Sequence, residues 1–225
     1  MPITIHRDIA QGTEEWHQLR CGLLTASQMN LILTPTLKVA NNEKTRSHLY
    51  ELLAQRITGY VEPVFESFDM LRGKMDEVNA RGIYARTYGD VEEVGFITND
   101  RWGFTLGYSP DGLVGAEGLI ECKSRRQKYQ VQTILLGDVP DEYMLQIQTG
   151  LLVSERQWCD FVTYCGGLPM FTVRVEPIRE MQDAILAAAA DFEERMKVAE
   201  TSYRAALTRR PRLVPTERTI DQEMH

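Results

Sequence analysis

The sequence lacks the features that mark several large classes of protein. Its longest apolar run covers only residues 184–190. A helix needs about 20 apolar residues to cross a bilayer, so no membrane partner is expected. No basic segment followed by an apolar one opens the chain, which predicts no secretory signal. Cysteine is sparse: Cys21, Cys122, Cys159 and Cys165, no two at C-x-x-C spacing. That argues against a zinc ribbon or thioredoxin-type pair and fits a reduced, cytoplasmic chain better than a disulfide framework. The histidines, His6, His17, His48 and His225, form no H-x-x-x-H pair. Any metal is therefore expected to be held mainly by oxygen, which favours Mg2+ or Mn2+. Basic residues are also in deficit, 25 Lys and Arg against 32 Asp and Glu, a formal net charge of −7. This argues against a protein that coats nucleic acid through bulk charge. There is no internal repeat and no low-complexity stretch.

What is present is a globular composition, 43% hydrophobic and 25% charged over 225 residues, enough for one α/β domain and short for two. Thr13 reads as an N-cap, with Glu14 and Glu15 in the first turn of a helix that runs to about Arg20 and stops near Gly22. Thr25 or Ser27 is placed to cap a second short helix through Leu33. Residues 34–44 read as a loop around Pro35. Residues 45–58 predict a helix with Leu49, Leu52, Leu53 and Ile57 on one face and Gly59 as its stop. Residues 69–88 predict another, carrying Met70, Met75, Val78 and Ile83. Strand candidates follow at 91–98, 102–109, 113–114 and 119–123, with turns at Asn99-Asp100 and Pro110-Asp111-Gly112. Pro140 opens a helix to about Leu152. Residues 158–164 and 170–175 predict a hairpin across Gly166-Gly167, and 178–207 one long helix rich in Ala and Glu. The expected organisation is a single α/β domain over residues 1–207, a mixed β-sheet flanked by helices, followed by a loosely ordered tail over 208–225.

Chemistry concentrates around Ser109, Pro110, Asp111 and Gly112, followed after a short interval by Glu121, Cys122 and Lys123. Side chains alternate along a strand, so Glu121 and Lys123 share one face while Cys122 points to the other. An Asp on a neighbouring turn can then meet Glu121, bringing two carboxylates and an ammonium together. Such a pair makes a hard-oxygen site for Mg2+, which keeps several waters and accepts phosphate oxygens. A bound ion of this kind polarises a scissile phosphate and acidifies a bound water, while Lys123 could orient that water or offset charge on the phosphate. Pro-Asp-Gly is also an ordinary turn, and Glu-x-Lys an ordinary edge-strand pair. The flanking Leu119, Ile120 and Cys122 favour the chemical reading, because charges on a half-buried strand need a reason.

Pro110-Asp111 with Glu121-Cys122-Lys123 resembles the PD-(D/E)xK signature of restriction-endonuclease-like nucleases. Further segments resemble the phage lambda exonuclease family within that superfamily: Trp16-His17-Gln18-Leu19-Arg20 with Gly22 and Thr25-Ala26-Ser27; Gly73-Lys74-Met75-Asp76-Glu77; Ser109-Pro110-Asp111-Gly112; and Tyr143-Met144-Leu145-Gln146-Ile147-Gln148. They occur in the family's order over roughly residues 11–165. The resemblance implies a restriction-endonuclease-like core and a phage or prophage enzyme acting in the bacterial cytoplasm. It implies metal ions, two of them Mg2+ with Mn2+ as substitute, held by Asp111, Glu121 and the backbone carbonyl of Cys122. Lys123 then helps activate water, Glu77 positions water or metal, and Gln146 orders the lysine and the nucleophile. Gln148 lies about 200° away on a helix, so only one of the two glutamines can face the site.

Arg20, Thr25 and Ser27 form a second group. A guanidinium forks onto phosphate oxygens, and hydroxyls beside a helix N-terminus add donors, so a terminal 5′-phosphate is the expected ligand. Trp16 is expected to stack near the DNA end or to serve in the core. Arg125 and Arg126 are expected to contact DNA as part of a basic segment after the catalytic strand. The sequence departs from the family at Arg72, where an aromatic is usual, and at Ser124-Arg125, where Cys-Pro is usual. The resemblance implies a 5′→3′ exonuclease on double-stranded DNA with a free 5′ end, a homotrimeric ring, and a single-strand annealing protein as partner. An endonuclease or junction resolvase on the same core gives no reason for the Arg20 group. An iron–sulfur nuclease requires cysteine spacing that is absent, and a catalytically dead end-binder gives no reason to keep Asp111, Glu121 and Lys123.

Overall fold

The computed structural model describes residues 2–63, 67–210 and 212–218. The chain opens with strand β1 (Ile3–His6), helix α1 (Glu14–Arg20), strand β2 (Leu24–Thr25) and a 3-10 helix (Ala26–Leu31). Helices α2 (Glu43–Thr58) and α3 (Phe68–Thr87) follow. Five strands come next: β3 (Val91–Glu92), β4 (Phe96–Asn99), β5 (Leu106–Tyr108), β6 (Gly112–Val114) and β7 (Gly118–Ser124). Then come α4 (Gln127–Leu136), α5 (Asp141–Ser154), β8 (Trp158–Tyr164), β9 (Phe171–Val175) and α6 (Arg179–Arg209).

Local chemistry sets several helix ends. The Thr13 hydroxyl accepts the Trp16 N–H and starts α1, and Gly59 closes α2 in the left-handed conformation at φ 64°. Thr25 stands at the start of the 3-10 helix without capping it. Its hydroxyl lies 2.8 Å from Gln28 Oε1 and donates there instead. The expected strand over 91–98 is broken in two. Gly95 sits where a Cβ would lie 2.0 Å from the Ile9 carbonyl oxygen, and the chain passes there from one sheet to another.

The strands form two mixed sheets, ordered β1-β4-β5-β2 and β3-β6-β7-β8-β9. The chain crosses between them three times, between β2 and β3, between β3 and β4, and between β5 and β6. Gln11 ties the last two crossings together: its Nε2 donates to Val94 O at 3.2 Å and to Pro110 O at 2.7 Å. Strand β7 pairs antiparallel with β6 and parallel with β8, so it lies inside its sheet. Its alternation divides two packed layers. Leu119 joins the main core with Ile147, Leu151, Phe161 and Phe192. Ile120 and Cys122 pack with Ala80, Tyr84 and Val162 on the other side.

Helix α3 departs from expectation in the residues it buries. Ala80 and Tyr84 are its buried positions, whereas Met70, Met75 and Val78 are exposed. Strand β1 and helix α4 are elements the sequence reading did not anticipate. The last helix, α6, packs on α5 and α2. Arg56 of α2 makes two hydrogen bonds to Glu193 of α6, at 2.8 and 2.6 Å. The same guanidinium donates through Nε to Gly22 O at 2.8 Å, and Gln55 Oε1 accepts the Gly22 N–H at 2.8 Å. The turn after α1 is thus clamped to α2, and Arg56 in turn is held by α6. The expected tail begins later than 208, because α6 continues to Arg209; residues 212–218 carry no helix or strand, and 211 and 219–225 lie outside the described residues. No described helix is long and apolar enough to cross a membrane.

Candidate active site

Asp111 lies where the chain enters β6, and Glu121 and Lys123 lie on β7 next to it. The Asp111 carboxylate accepts the backbone N–H of Cys122 at 2.5 Å. This contact joins the turn to β7 two residues past Ile120, whose pair with Gly112 is the last between β6 and β7. In a strand the N–H and C=O of one residue point to the same edge, so the Cys122 carbonyl leaves β7 on the side of Asp111. Glu121 is 1% exposed. Its Oε1 accepts from Lys123 Nζ at 2.7 Å and from Gln146 Nε2 at 2.6 Å, while Gln146 Oε1 accepts from Lys123 at 3.1 Å. Gln148 turns away: its amide bonds Glu176 O and the Ile178 N–H, both at 2.8 Å. The second oxygen of Glu121 accepts from the hydroxyl of Tyr108, a fully buried side chain, at 2.9 Å. Tyr108 was not foreseen, since a tyrosine in an apolar strand gives no sign of its partner.

Burial, reinforced by the charges of Glu121 and Glu77, pushes the Asp111 carboxyl well above the usual carboxylate range. Burial also raises Glu77, against the pull of Arg81, whose guanidinium pairs with both Glu77 and Glu93. Burial acts to lower the Lys123 ammonium, but Glu121 and Asp111 outweigh it and hold it above its ordinary value. The carboxyls of Asp111 and Glu77 therefore hold their protons more tightly than free side chains do, while Lys123 stays charged. Among the described residues, no group of three or more His, Cys, Asp and Glu side chains is arranged to hold a metal ion. The donors that could hold a divalent cation are a smaller set, Asp111, Glu121 and the Cys122 carbonyl. All three are hard oxygens, and the two carboxylates repel each other without a cation.

Two of the second predicted group, Arg20 and Thr25, share a cavity with Asp111. It has a volume of about 1230 Å³, and Trp16, Glu77 and Arg81 also line it. The Arg20 guanidinium sits 4.2 Å from the Trp16 ring centroid. Arg20 and Trp16 both donate to Ser109 Oγ, at 2.9 and 3.1 Å. Burial lowers the Arg20 pKa to about 10, which leaves it charged at neutral pH. Thr25 is buried and Ser27 exposed, their hydroxyls 3.4 Å apart. Ser27 lines a smaller pocket of about 270 Å³ with Gln146 and Tyr143. Arg125 is held by Glu142 at 2.9 Å and the Tyr143 hydroxyl at 2.5 Å, with only 10% of its side chain exposed. Arg126 is exposed and pairs with Asp69 at 2.7 Å.

Residues 15–157 match the YqaJ-like viral recombinase domain. The chain belongs to that family. It is also similar to the crystal structure of an alkaline exonuclease (LHK-Exo) from Laribacter hongkongensis. The identity is 32% and the TM-score 0.78, over 88% of this chain and 99% of that one. The complex of LHK-Exo with dAMP matches over the same shares at 33% identity. A phage related exonuclease from Haemophilus somnus 129PT shares the fold alone, at 14% identity and a TM-score of 0.52, over 79% of this chain and 96% of that one. No curated protein sequence matches the chain. The YqaJ-like membership and the likeness to LHK-Exo support a nuclease role for this chain.

Proposed function

We propose that this protein is a Mg2+-dependent exonuclease that degrades one strand of linear double-stranded DNA in the 5′→3′ direction from a 5′-phosphorylated end. The 3′ single strand left behind is the substrate for an annealing protein. The observation that carries this reading is the shared cleft: Arg20 and Asp111 line one cavity, and Arg20 donates to Ser109, two residues before Asp111.

Asp111, Glu121 and the Cys122 carbonyl would hold the metal, one or two Mg2+ ions with Mn2+ as substitute. When bound, the ion supplies Lewis acidity at a phosphate oxygen and an acidified water. The remaining work falls to side chains. Lys123, held by Glu121 and Gln146, carries a positive charge toward the scissile phosphate and orients the attacking water. Arg20, stacked on Trp16 and with donors left over after Ser109, grips the terminal 5′-phosphate in a fork geometry that lysine lacks. Glu77, paired to Arg81, supplies a further carboxylate for water or metal. Thr25 and Ser27 add hydroxyl donors, and Arg125 and Arg126 border the path of the DNA. A homotrimeric ring, a single-strand annealing partner and a bacterial cytoplasm as the place of action complete the proposal.

A time course on linear duplex labelled at either 5′ end, beside a covalently closed circle, tests it. Mononucleotide release from phosphorylated 5′ ends, with the circle intact, is the expected result. Cleavage of the circle would favour an endonuclease on the same core.

A further inference from the structure

Helix α5 presents two residues one turn apart, Gln146 and Gly150, on one face. Gln146 reaches Glu121 Oε1. Gly150 does the opposite and withdraws: a Cβ there would lie 2.7 Å from Cζ of Tyr108. The space it leaves is filled by the Tyr108 ring, which enters from β5 in the other sheet, and the hydroxyl ends on Glu121 Oε2 at 2.9 Å. Both oxygens of the buried carboxylate are thereby fixed, one by Lys123 and Gln146, the other by Tyr108. A carboxylate oxygen can only accept, so the phenol hydroxyl is the donor of this bond.

From this geometry we infer that Tyr108 is a positioning residue for the metal site: its hydroxyl fixes the plane of the Glu121 carboxylate and so sets how tightly the chain binds a divalent cation. The inference rests on the proposed metal-dependent reaction. Tyr108 does not touch substrate; it acts through Glu121, and Gly150 is the second half of the device.

Tyr108→Phe keeps the ring and removes the donor. One hydrogen bond to a charged group corresponds to about tenfold in an equilibrium. Calorimetric titration of DNA-free protein with Mg2+ is therefore expected to show about tenfold weaker binding in the variant. In the nuclease assay the half-saturating Mg2+ concentration rises by a similar factor and KM for DNA stays unchanged. Gly150→Ala keeps the hydroxyl but crowds the ring, and is expected to weaken Mg2+ binding in the same direction. Wild-type Mg2+ affinity in both variants, whatever their thermal stability, overturns the inference while leaving the nuclease reading intact. A wild-type protein that neither binds Mg2+ nor cuts DNA overturns the functional proposal and this inference with it.

Discussion

Glu193→Gln is expected to lower the melting temperature by about 4–8 °C. Glu193 is 11% exposed and Arg56 29%, so the pair is intermediate between two limits. Breaking a buried pair costs about 3–5 kcal/mol, and an exposed one contributes about 1 kcal/mol or less. The bidentate geometry, with hydrogen bonds of 2.6 and 2.8 Å, and the nearly buried carboxylate place the loss at about 2 kcal/mol. For a chain of this size each kcal/mol shifts the transition by about 2–4 °C. Thermal unfolding of Glu193→Gln, Arg56→Met and the double variant is the assay. The cycle should show a coupling of about 1 kcal/mol or more, because removing both partners leaves neither group unpaired. The two single variants should also differ in function. Arg56 also holds the Gly22 carbonyl, so Arg56→Met loosens the turn behind Arg20 and weakens the preference for 5′-phosphate, whereas Glu193→Gln spares it. A melting temperature for Glu193→Gln within about 1 °C of wild type, or strict additivity in the cycle, refutes the reasoning.

Other outcomes follow from the site and the sheets. Asp111→Ala or Glu121→Ala is expected to abolish Mg2+-dependent digestion and leave a cooperative thermal transition; normal digestion by either variant would sink the site assignment. Arg20→Met removes a charge-assisted fork worth about 1.5–3 kcal/mol, so the preference for 5′-phosphate over 5′-hydroxyl duplex should fall by about 10- to 100-fold, measured as the ratio of initial rates. The Asp111 carboxyl titrates above its unfolded value of about 4, so the folded state binds the proton more tightly. Its contribution to metal-free stability falls as pH rises from about 4 through the raised value. Added Mg2+ should therefore raise the melting temperature more at alkaline than at acidic pH, and an equal shift at both would contradict the charge argument. Gly107→Ala places a Cβ 2.2 Å from the tip of the Phe96 ring and should destabilise by about 1–3 kcal/mol in denaturant unfolding; an unchanged midpoint would show that Phe96 has room to move.

The sequence was most readable where local chemistry decides. Gly59 stops α2, Pro140 stands at the start of α5, and Gly166-Gly167 turns the β8–β9 hairpin. The alternation across Glu121, Cys122 and Lys123 places the charged pair on one face of β7, because a half-buried strand has only two faces to offer. Less readable were features decided at a distance. Strand β1 is four residues long and exists through its pairing with β4. Helix α4 follows a basic segment and exposes Leu135 and Leu136, so periodicity gave it no inward face. The residue window 91–98 looked continuous because its crossing between sheets depends on the approach of Ile9 to Gly95. The partners of Arg125, Glu142 and Tyr143, come from α5 and are not legible in the basic segment around it.

The parallel pairing of β7 with β8 also has a consequence in time. Residues 111–123 leave the ribosome before α5 and β8 exist, so Glu121 at first has neither Gln146 beside it nor Phe161 across from it. A parallel partner must wait for its whole crossover to be made. A growing chain thus carries Asp111, Glu121 and Lys123 while the strand that bears two of them still lacks its partner. On the proposed function, activity requires β8 to have docked, so a truncated product ending before residue 158 is expected to lack nuclease activity.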